Sequence, residues 1–367
     1  MSHHRWSRRT TRLFAGAPML LLVTLGTGSL AAAVHQAGSP SAIARTCPRP
    51  SAPAGIYGMV AARAPFGCTA STSTPDAVSH AARTGALIPT YNGGSPPLAY
   101  GGGPVVGTAT TTGENTIHPI FWAPAGYTFP SGYQSGITTF LADVAADSGK
   151  TSNVYAVGTQ YTDGQLTGSP HLRYDVHVGA RVNATDTYPT VGGCTPDNAY
   201  SEPFTACLTD QQMQNEISTV LAADGLPAGM GDIYMVVFPP NVETCADVND
   251  ARLGGACSDT NYPGFCGYHS AFTTASGQAL YANIPFPTDF YYNCLIPEAP
   301  SGSNFLDSTL SMISHEHNET ITDPLGNAWI DSVGNEDGDE CAWMFGGPLG
   351  GATVSYTHLT LPTNREV

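Results

Sequence analysis

The sequence predicts an α/β or α+β fold with a mixed sheet and a polar helix near the C-terminus. Segments with the two-residue alternation of strands are interspersed with segments of helical periodicity. The apolar run DIYMVVFPP at 232–240 ends in prolines, as is typical of a buried central strand. The last helical segment contains ISHEHNETITDP at 313–324, which places histidine and glutamate side chains on a helix behind the sheet.

The N-terminus has the three parts of a secretory signal peptide. Residues 1–12 carry four arginines and no acid, an apolar run follows, and Ala31-Ala32-Ala33 supplies small residues for cleavage. A membrane anchor is the alternative, but the run is short and contains glycines and a proline. We therefore expect residues 1–33 to be removed and the chain to be secreted, with no membrane association afterwards.

The rest of the chain divides by composition. Residues 34–103 are rich in Ala, Gly, Pro, Ser and Thr, which indicates a flexible leader or a pro-segment. The α/β domain is expected to span 104–353. The final stretch, VSYTHLTLPTNREV at 354–367, looks like a translated sequencing adapter, so we expect a domain truncated at its C-terminus and exclude this stretch from fold reasoning.

The first half of the domain predicts three strands and a helix. TIHPIFWAP at 116–124 is a strand closed by proline. Residues 132–149 place apolar side chains at helical spacing and end in glycine, which predicts a helix. Two further segments, 152–162 and 173–182, alternate as strands do.

The second half adds two helices and a strand around the central strand. Residues 209–225 begin with Thr-Asp and end in glycine, as a helix does. The segment 241–270 is dense in Cys, Asp, Asn and Gly and is predicted as a disulfide-pinned loop. A strand follows at 278–286. The last helix is expected to begin at Ser303-Asn304 and to end at Asp323-Pro324.

Nine cysteines without any C-x-x-C pair favour disulfides in an oxidising compartment over thiolate zinc sites. Sequence leaves their connectivity open. The pairs that we consider are Cys47 with Cys68, Cys194 with Cys207, and a cluster of Cys245, Cys257 and Cys266; the odd count fits a partner cysteine in a lost C-terminal part.

The charge excludes several partners. The formal net charge is −16, and four of the 13 basic residues lie in the first twelve positions. Such a surface repels nucleic-acid phosphates and anionic lipid. We therefore expect no nucleic-acid or membrane partner. Peptide or protein substrates stay compatible with this charge, and the oligomeric state is left open.

The motif on the last helix can form a metal site. His315 and Glu319 are four residues apart and project from the same helical face, at the spacing that two ligands of one ion need. Glu316 lies about 100° round the helix, where it could activate a water molecule. This is H-E-x-x-H with a carboxylate in place of the second histidine, so the predicted cofactor is zinc.

The acidic turn NEDGDEC at 335–341 supplies the remaining groups. Glu336 is the candidate third ligand, and Asp339 could accept the second ring N–H of His315. The arrangement resembles the thermolysin-like gluzincins and implies a zincin-like mixed sheet. It departs from them at Glu319, where they have histidine, which leaves the identity of the metal open. Alternatively, His315 and Glu319 are an exposed helical pair and 335–340 is a solvated turn.

His269 in FCGYHSAF lies on a strand ahead of the metal helix. Zincins bind substrate backbone in that position, so His269 is a candidate catalytic residue that donates a hydrogen bond to a developing oxyanion. A packed strand histidine is the alternative.

Several blocks together resemble the EXORDIUM-like, phosphate-induced protein family. They are YGGGPVV with TIHPIFWAP, CGYHSAF, SHEHNETITDPLGNAW and GNEDGDEC. Members of that family are secreted, and plant members are associated with the cell wall and growth. The resemblance implies an extracellular α/β protein and supplies no established reaction.

Two functions are compatible with these observations. The first is a secreted zinc-dependent metallopeptidase in which His315, Glu319 and Glu336 hold the ion and Glu316 activates water. The second is a non-catalytic extracellular or wall-associated module in which the same residues form a structural metal site or none.

Overall fold

The structure is a computed structural model. It describes residues 45–47, 56–61, 68–70, 97–108, 115–151, 153–164, 168–196, 204–246, 257–258, 264–287, 294–296, 299–332, 334–339 and 342. The predicted signal peptide, most of the predicted leader and the predicted adapter sequence lie outside these residues. The division into 1–33, 34–103, 104–353 and 354–367 therefore stays a prediction.

The described residues contain thirteen strands, three α-helices and one 3-10 helix. The helices are α1 (Tyr133–Ala146), the 3-10 helix (Val154–Gln160), α2 (Asp210–Asp224) and α3 (Asn304–Thr322). The strands are β1 (Arg45–Cys47), β2 (Ile56–Ala61), β3 (Cys68–Ala70), β4 (Ala99–Tyr100), β5 (Asn115–Trp122), β6 (Val176–Val178), β7 (Val182–Ala184), β8 (Ala206–Thr209), β9 (Asp232–Val237), β10 (Val242–Cys245), β11 (Phe265–Thr274), β12 (Gly277–Ile284) and β13 (Trp329–Ile330).

A seven-stranded mixed sheet organises the fold. Its order is β2-β11-β12-β9-β5-β6, and β7 also pairs with β5. The strands from β12 through β9 and β5 to β6 are parallel, whereas β11 runs antiparallel to both β12 and β2. The predicted α/β class with a mixed sheet and a helix near the C-terminus is confirmed.

Both faces of the sheet are covered by helices, as the alternation along β9 shows. Ile233, Met235 and Val237 belong to a core that includes side chains of α1 and α3. The alternate residues Tyr234 and Val236 belong to a second core that includes side chains of α2. The apolar run at 232–240 is thus buried on both faces, as its composition predicts.

The helix termini follow their local signals. Thr209 caps α2 in a capping box with Gln212, and Gly225 ends it in the left-handed conformation at φ 62°. Ser303 caps α3, and Asp323 follows its last residue. These boundaries agree with the predicted helices at 209–225 and from Ser303 to Asp323-Pro324.

Several segments differ from the sequence predictions. Residues 154–160 form a 3-10 helix rather than a strand; in it Tyr155 and Gly158, three positions apart, are the buried residues. Most of β11 lies inside the predicted loop. The sequence does not indicate a strand there because two of its buried positions, His269 and Ser270, are polar and interrupt the apolar alternation. Finally, β2 lies inside the predicted leader and forms an edge strand on β11.

Three disulfides are present among the described side chains: Cys194–Cys207, Cys245–Cys257 and Cys266–Cys294. The first confirms a predicted pair, and the second lies inside the predicted cluster. Cys266 leaves that cluster, since its partner comes from the segment before α3. The side chains of Cys47, Cys68 and Cys341 lie outside the described residues. Disulfides are compatible with an extracellular location.

None of the described helices combines the length and the apolar character needed to cross a bilayer.

A buried glutamate on α2 predicts a pH dependence of stability. Burial, and secondarily the Asp186 carboxylate, raises the pKa of Glu216 from 4.5 to about 7. The folded chain therefore keeps a proton that the unfolded chain releases, and the free energy of unfolding falls as pH rises from about 4.5 to about 7. Glu216→Gln should make this decline smaller, measured as urea midpoints at pH 5 and pH 8. The exposed Asp224→Asn on the same helix is the control, and an equal decline in Glu216→Gln would contradict the assignment.

Candidate metal centre

Three elements bring the candidate residues together. His269 lies on β11, which is paired on both sides, opposite Ala282 of β12 and Tyr57 of β2. The second half of α3 packs against this part of the sheet and is buried at Glu316, Glu319 and their neighbours. The acidic turn at 334–339 follows β13 and returns to the same helix. A helix half and a strand that are both buried usually meet through apolar side chains, whereas here they meet through imidazoles and carboxylates.

His269 has a defined tautomer. Its Nε2 lies 3.1 Å from the carbonyl oxygen of Asp323, which can only accept, so Nε2 carries the ring proton and donates it. The Nδ1 lone pair then faces Glu316 Oε2 at 3.5 Å and Glu319 Oε2 at 3.9 Å. Nδ1 is buried and has no hydrogen-bond partner. A backbone carbonyl that fixes one ring nitrogen while the other stays free is the arrangement of a metal-ligating histidine.

The two oxygens of Glu319 face different partners. Oε1 lies 2.8 Å from His315 Nε2 and accepts a hydrogen bond from the Asp339 backbone N–H at 3.0 Å. Oε2 faces His269 Nδ1. Despite the short distance, His315 Nε2 forms no hydrogen bond with Oε1, because the geometry is unsuitable. Two ligand atoms that lie close together without a hydrogen bond between them can both bind one metal ion.

The acidic turn contributes Glu336 and Asp339. The Glu336 backbone N–H donates to Asp339 Oδ2 at 3.3 Å, which closes the turn. Glu336 Oε2 lies 3.7 Å from His269 Nε2, and Asp339 Oδ1 lies 3.8 Å from His315 Nε2. Sequence reasoning expects Asp339 at the second ring nitrogen of His315, but it lies beside Nε2, the nitrogen that Glu319 also faces.

Two groups of side chains have ligand atoms that all lie within 4.8 Å of one another. One is His269 with Glu319 and Glu336, and the other is His315 with Glu316 and Glu319. The structure thus brings Glu319 to both His315 and Glu336. Among the described residues, His315 and Glu336 belong to different groups, and His269 takes the place of His315 beside Glu336.

The metal cluster, as we name His269, His315, Glu316, Glu319 and Glu336, is almost inaccessible to solvent. His269, Glu316 and Glu319 are 0% exposed and Glu336 is 3% exposed. Buried atoms of all five residues lack hydrogen-bond partners, including both carboxylate oxygens of Glu316. An unpaired buried polar atom costs about 1–3 kcal/mol, and more for a charged group, so a bound cation would stabilise the cluster.

The pKa shifts in the cluster are also compatible with a bound cation. Burial first, and neighbouring carboxylates second, raise the pKa values of Glu316, Glu319 and Glu336 well above their ordinary value. Burial lowers the pKa of His269 to about 4 and also lowers that of His315. Both imidazoles are therefore neutral at neutral pH, which is the form that binds metal ions.

The donor set fits a divalent cation. Imidazole nitrogen with carboxylate oxygen is a ligand set for zinc and for harder first-row metals such as manganese or iron. Two other groupings near β8 and β10 contain Cys194, Cys207, Cys245 and Cys257, but these cysteines form disulfides and offer no thiolate. The structure therefore shows residues that could hold a metal ion and leaves its identity open.

Sequence reasoning missed three contributors to this site. The Asp323 carbonyl orients His269, and Gly267 and Gly338 leave room for the carboxylates. A Cβ on Gly267 would lie 2.8 Å from Glu316 Oε1. The sequence signal of the two glycines is their position two residues from His269 and from Glu336. By contrast His317 is not part of the cluster: its ring bonds Tyr155 Oη at 3.2 Å and Asn115 Oδ1 at 3.0 Å.

Gly338→Ala should weaken metal binding. The added Cβ would lie 2.8 Å from Glu319 Oε1 and 2.9 Å from the His315 ring, so it displaces both side chains. We expect an affinity loss of about 10–100-fold, as for other changes that misplace ligands, measured by competition with a chromophoric chelator. Gly158→Ala is the control, because an added Cβ there meets no atom within 4 Å. Unchanged affinity in Gly338→Ala would contradict this geometry.

Comparisons with family models, curated proteins and solved structures find no match to this chain. The resemblance to the EXORDIUM-like family therefore stays a prediction from motifs, and the geometry of the cluster is the observation that bears on function.

Proposed function

We propose that this chain is a secreted metal-dependent hydrolase that cleaves peptide bonds. The observation that supports it most is the convergence of unpartnered buried atoms from two neutral histidines and three glutamates. Membership of the EXORDIUM-like family is part of the proposal and is supported by the motif blocks alone. The predicted signal peptide and the disulfides support secretion.

The cluster suggests a role for each side chain. Glu319 is the central ligand because it lies in both ligand groups, and His315, Glu336 and His269 reach it from two sides. A bound zinc ion would polarise a substrate carbonyl and lower the pKa of its water. Asp339 positions Glu319 through its backbone N–H, and its Oδ1 lies 3.8 Å from His315 Nε2.

Glu316 is the proposed proton acceptor. It is adjacent to His315 in sequence, both of its oxygens are unpartnered, and Oε2 faces the free nitrogen of His269. Burial among other carboxylates raises its pKa, which favours taking up a proton from water and passing it to a leaving amine. His269 accordingly acts as a ligand in this proposal rather than as the oxyanion donor expected from sequence.

One observation favours the non-catalytic alternative. Solvent access to the cluster is limited: the side chain of His315 is 8% exposed and that of Asp339 beside it is 18% exposed. Structural metal sites are closed, whereas catalytic sites keep one position open to substrate. A structural ion would hold α3, β11 and the acidic turn together without turnover.

Elemental analysis of the secreted chain, followed by cleavage assays on a peptide library, separates these functions. The hydrolase proposal expects bound metal and cleavage that a chelator stops and added zinc restores. Bound metal without cleavage supports the structural metal site, and absence of metal contradicts the hydrolase and leaves a non-catalytic module without a metal. His177→Gln is the matched control, since it alters an exposed His–Asp pair outside the cluster and should leave metal and cleavage unchanged.

A further inference from the structure

The carboxylate of Glu319 faces two separate histidines. Oε1 lies 2.8 Å from His315 Nε2, and Oε2 lies 3.9 Å from His269 Nδ1. Both nitrogens are buried and lack hydrogen-bond partners. One oxygen of a carboxylate can bind one metal ion while its other oxygen binds a second ion. The two ions of such two-metal sites lie about 3.5–4 Å apart.

Protons do not explain these contacts. His269 Nδ1 lies 3.5 Å from Glu316 Oε2, beyond the usual 2.5–3.2 Å of a hydrogen bond from a protonated carboxyl. The contact between His315 Nε2 and Glu319 Oε1 is short enough, but it lacks hydrogen-bond geometry. In both contacts the nitrogen and the oxygen are placed as two ligands of one metal ion.

Buried carboxylates surround the two histidines. Glu316, Glu319 and Glu336 are almost inaccessible to solvent, and the acidic turn adds the buried Asp337. A single divalent cation would leave part of this negative charge uncompensated in a buried volume, where like charges repel strongly.

We propose that the cluster binds two divalent first-row cations bridged by Glu319. One ion lies between His315 Nε2 and Glu319 Oε1, beside Asp339 Oδ1. The other lies between His269 Nδ1 and Glu319 Oε2, on the side of the ring away from the proton on Nε2. Glu316 lies next to both ions, which suits its proposed role as proton acceptor. The inference rests on the metal site of the proposed function and adds a second ion to it.

Titration of the metal-free secreted chain with Mn²⁺ tests the stoichiometry directly. Equilibrium dialysis should give two ions per chain, and electron paramagnetic resonance should show the exchange-coupled signal of a manganese pair. One ion per chain with an uncoupled signal overturns the second site and leaves the proposed single-metal function standing. No tight binding of Mn²⁺ overturns the two-metal site, and no tight binding of Zn²⁺ in the same dialysis overturns the proposed function as well.

Two variants locate the ions. His269→Gln and His315→Gln should each bind one Mn²⁺ and lose the exchange coupling, whereas His177→Gln should keep two coupled ions. If either cluster variant keeps the coupled pair, the assignment of ligands is wrong. The wild-type titration decides the number of ions even where a variant fails to fold, because it needs no substitution.

Discussion

Glu316→Gln is expected to abolish peptide cleavage while bound metal stays at its wild-type level. Glutamine keeps the shape of the side chain but cannot take up a proton from water. Loss of a general base typically lowers turnover by about 10²–10⁴-fold. Both oxygens of Glu316 are unpartnered, so the substitution breaks no hydrogen bond within the described structure. The measurement is kcat on the best substrate of a peptide library, together with elemental analysis of the same sample.

Glu216→Gln provides the matched control for this experiment. Glu216 is also a buried glutamate with a raised pKa, but it lies on α2, on the opposite face of the sheet. It should retain full turnover. Undiminished turnover in Glu316→Gln would remove the proposed base. A loss of metal together with turnover would show instead that Glu316 is a ligand.

Local signals explain how much of the fold could be predicted. The α2 helix begins at a Thr209 cap and ends at a glycine, and both lie next to the helix in sequence. The last helix carries the H-E-x-x-E pattern, whose spacing alone places His315 and Glu319 on one face. The apolar run of β9 predicts a central strand without knowledge of its partners. Each inference needs only residues within a few turns of each other.

The rest depends on contacts between distant segments. Pairing of β2 with β11 joins residues about two hundred positions apart. Neither strand has the strong apolar–polar alternation that would predict it. The position of His269 beside Glu316 follows from that sheet and from the packing of α3 against it. Asp339 lies beside His315 Nε2 because the turn closes through Glu336, a geometry that residue types alone do not specify.

Metal removal is expected to destabilise the chain strongly. A ligand that binds only the folded state stabilises it by about 4.1 kcal/mol when its free concentration is 1,000 times Kd. Chelation removes that contribution and leaves the buried carboxylates of Glu316, Glu319 and Glu336 facing each other without a cation. For a domain of this size, Tm should fall by roughly 2–4 °C per kcal/mol lost. Thermal unfolding in excess zinc and in excess chelator measures the difference.

The same measurement on Glu319→Gln identifies the origin of the loss. Glu319 lies in both ligand groups, so this variant should bind little metal, and chelator should then leave its Tm unchanged. The three disulfides remain closed in chelator and should not contribute to the difference. A wild-type Tm that is insensitive to chelator would mean that protons, not a metal ion, neutralise the cluster. In that case the buried carboxylates would be a polar core between α3 and β11, and neither the hydrolase nor the structural metal site could be retained.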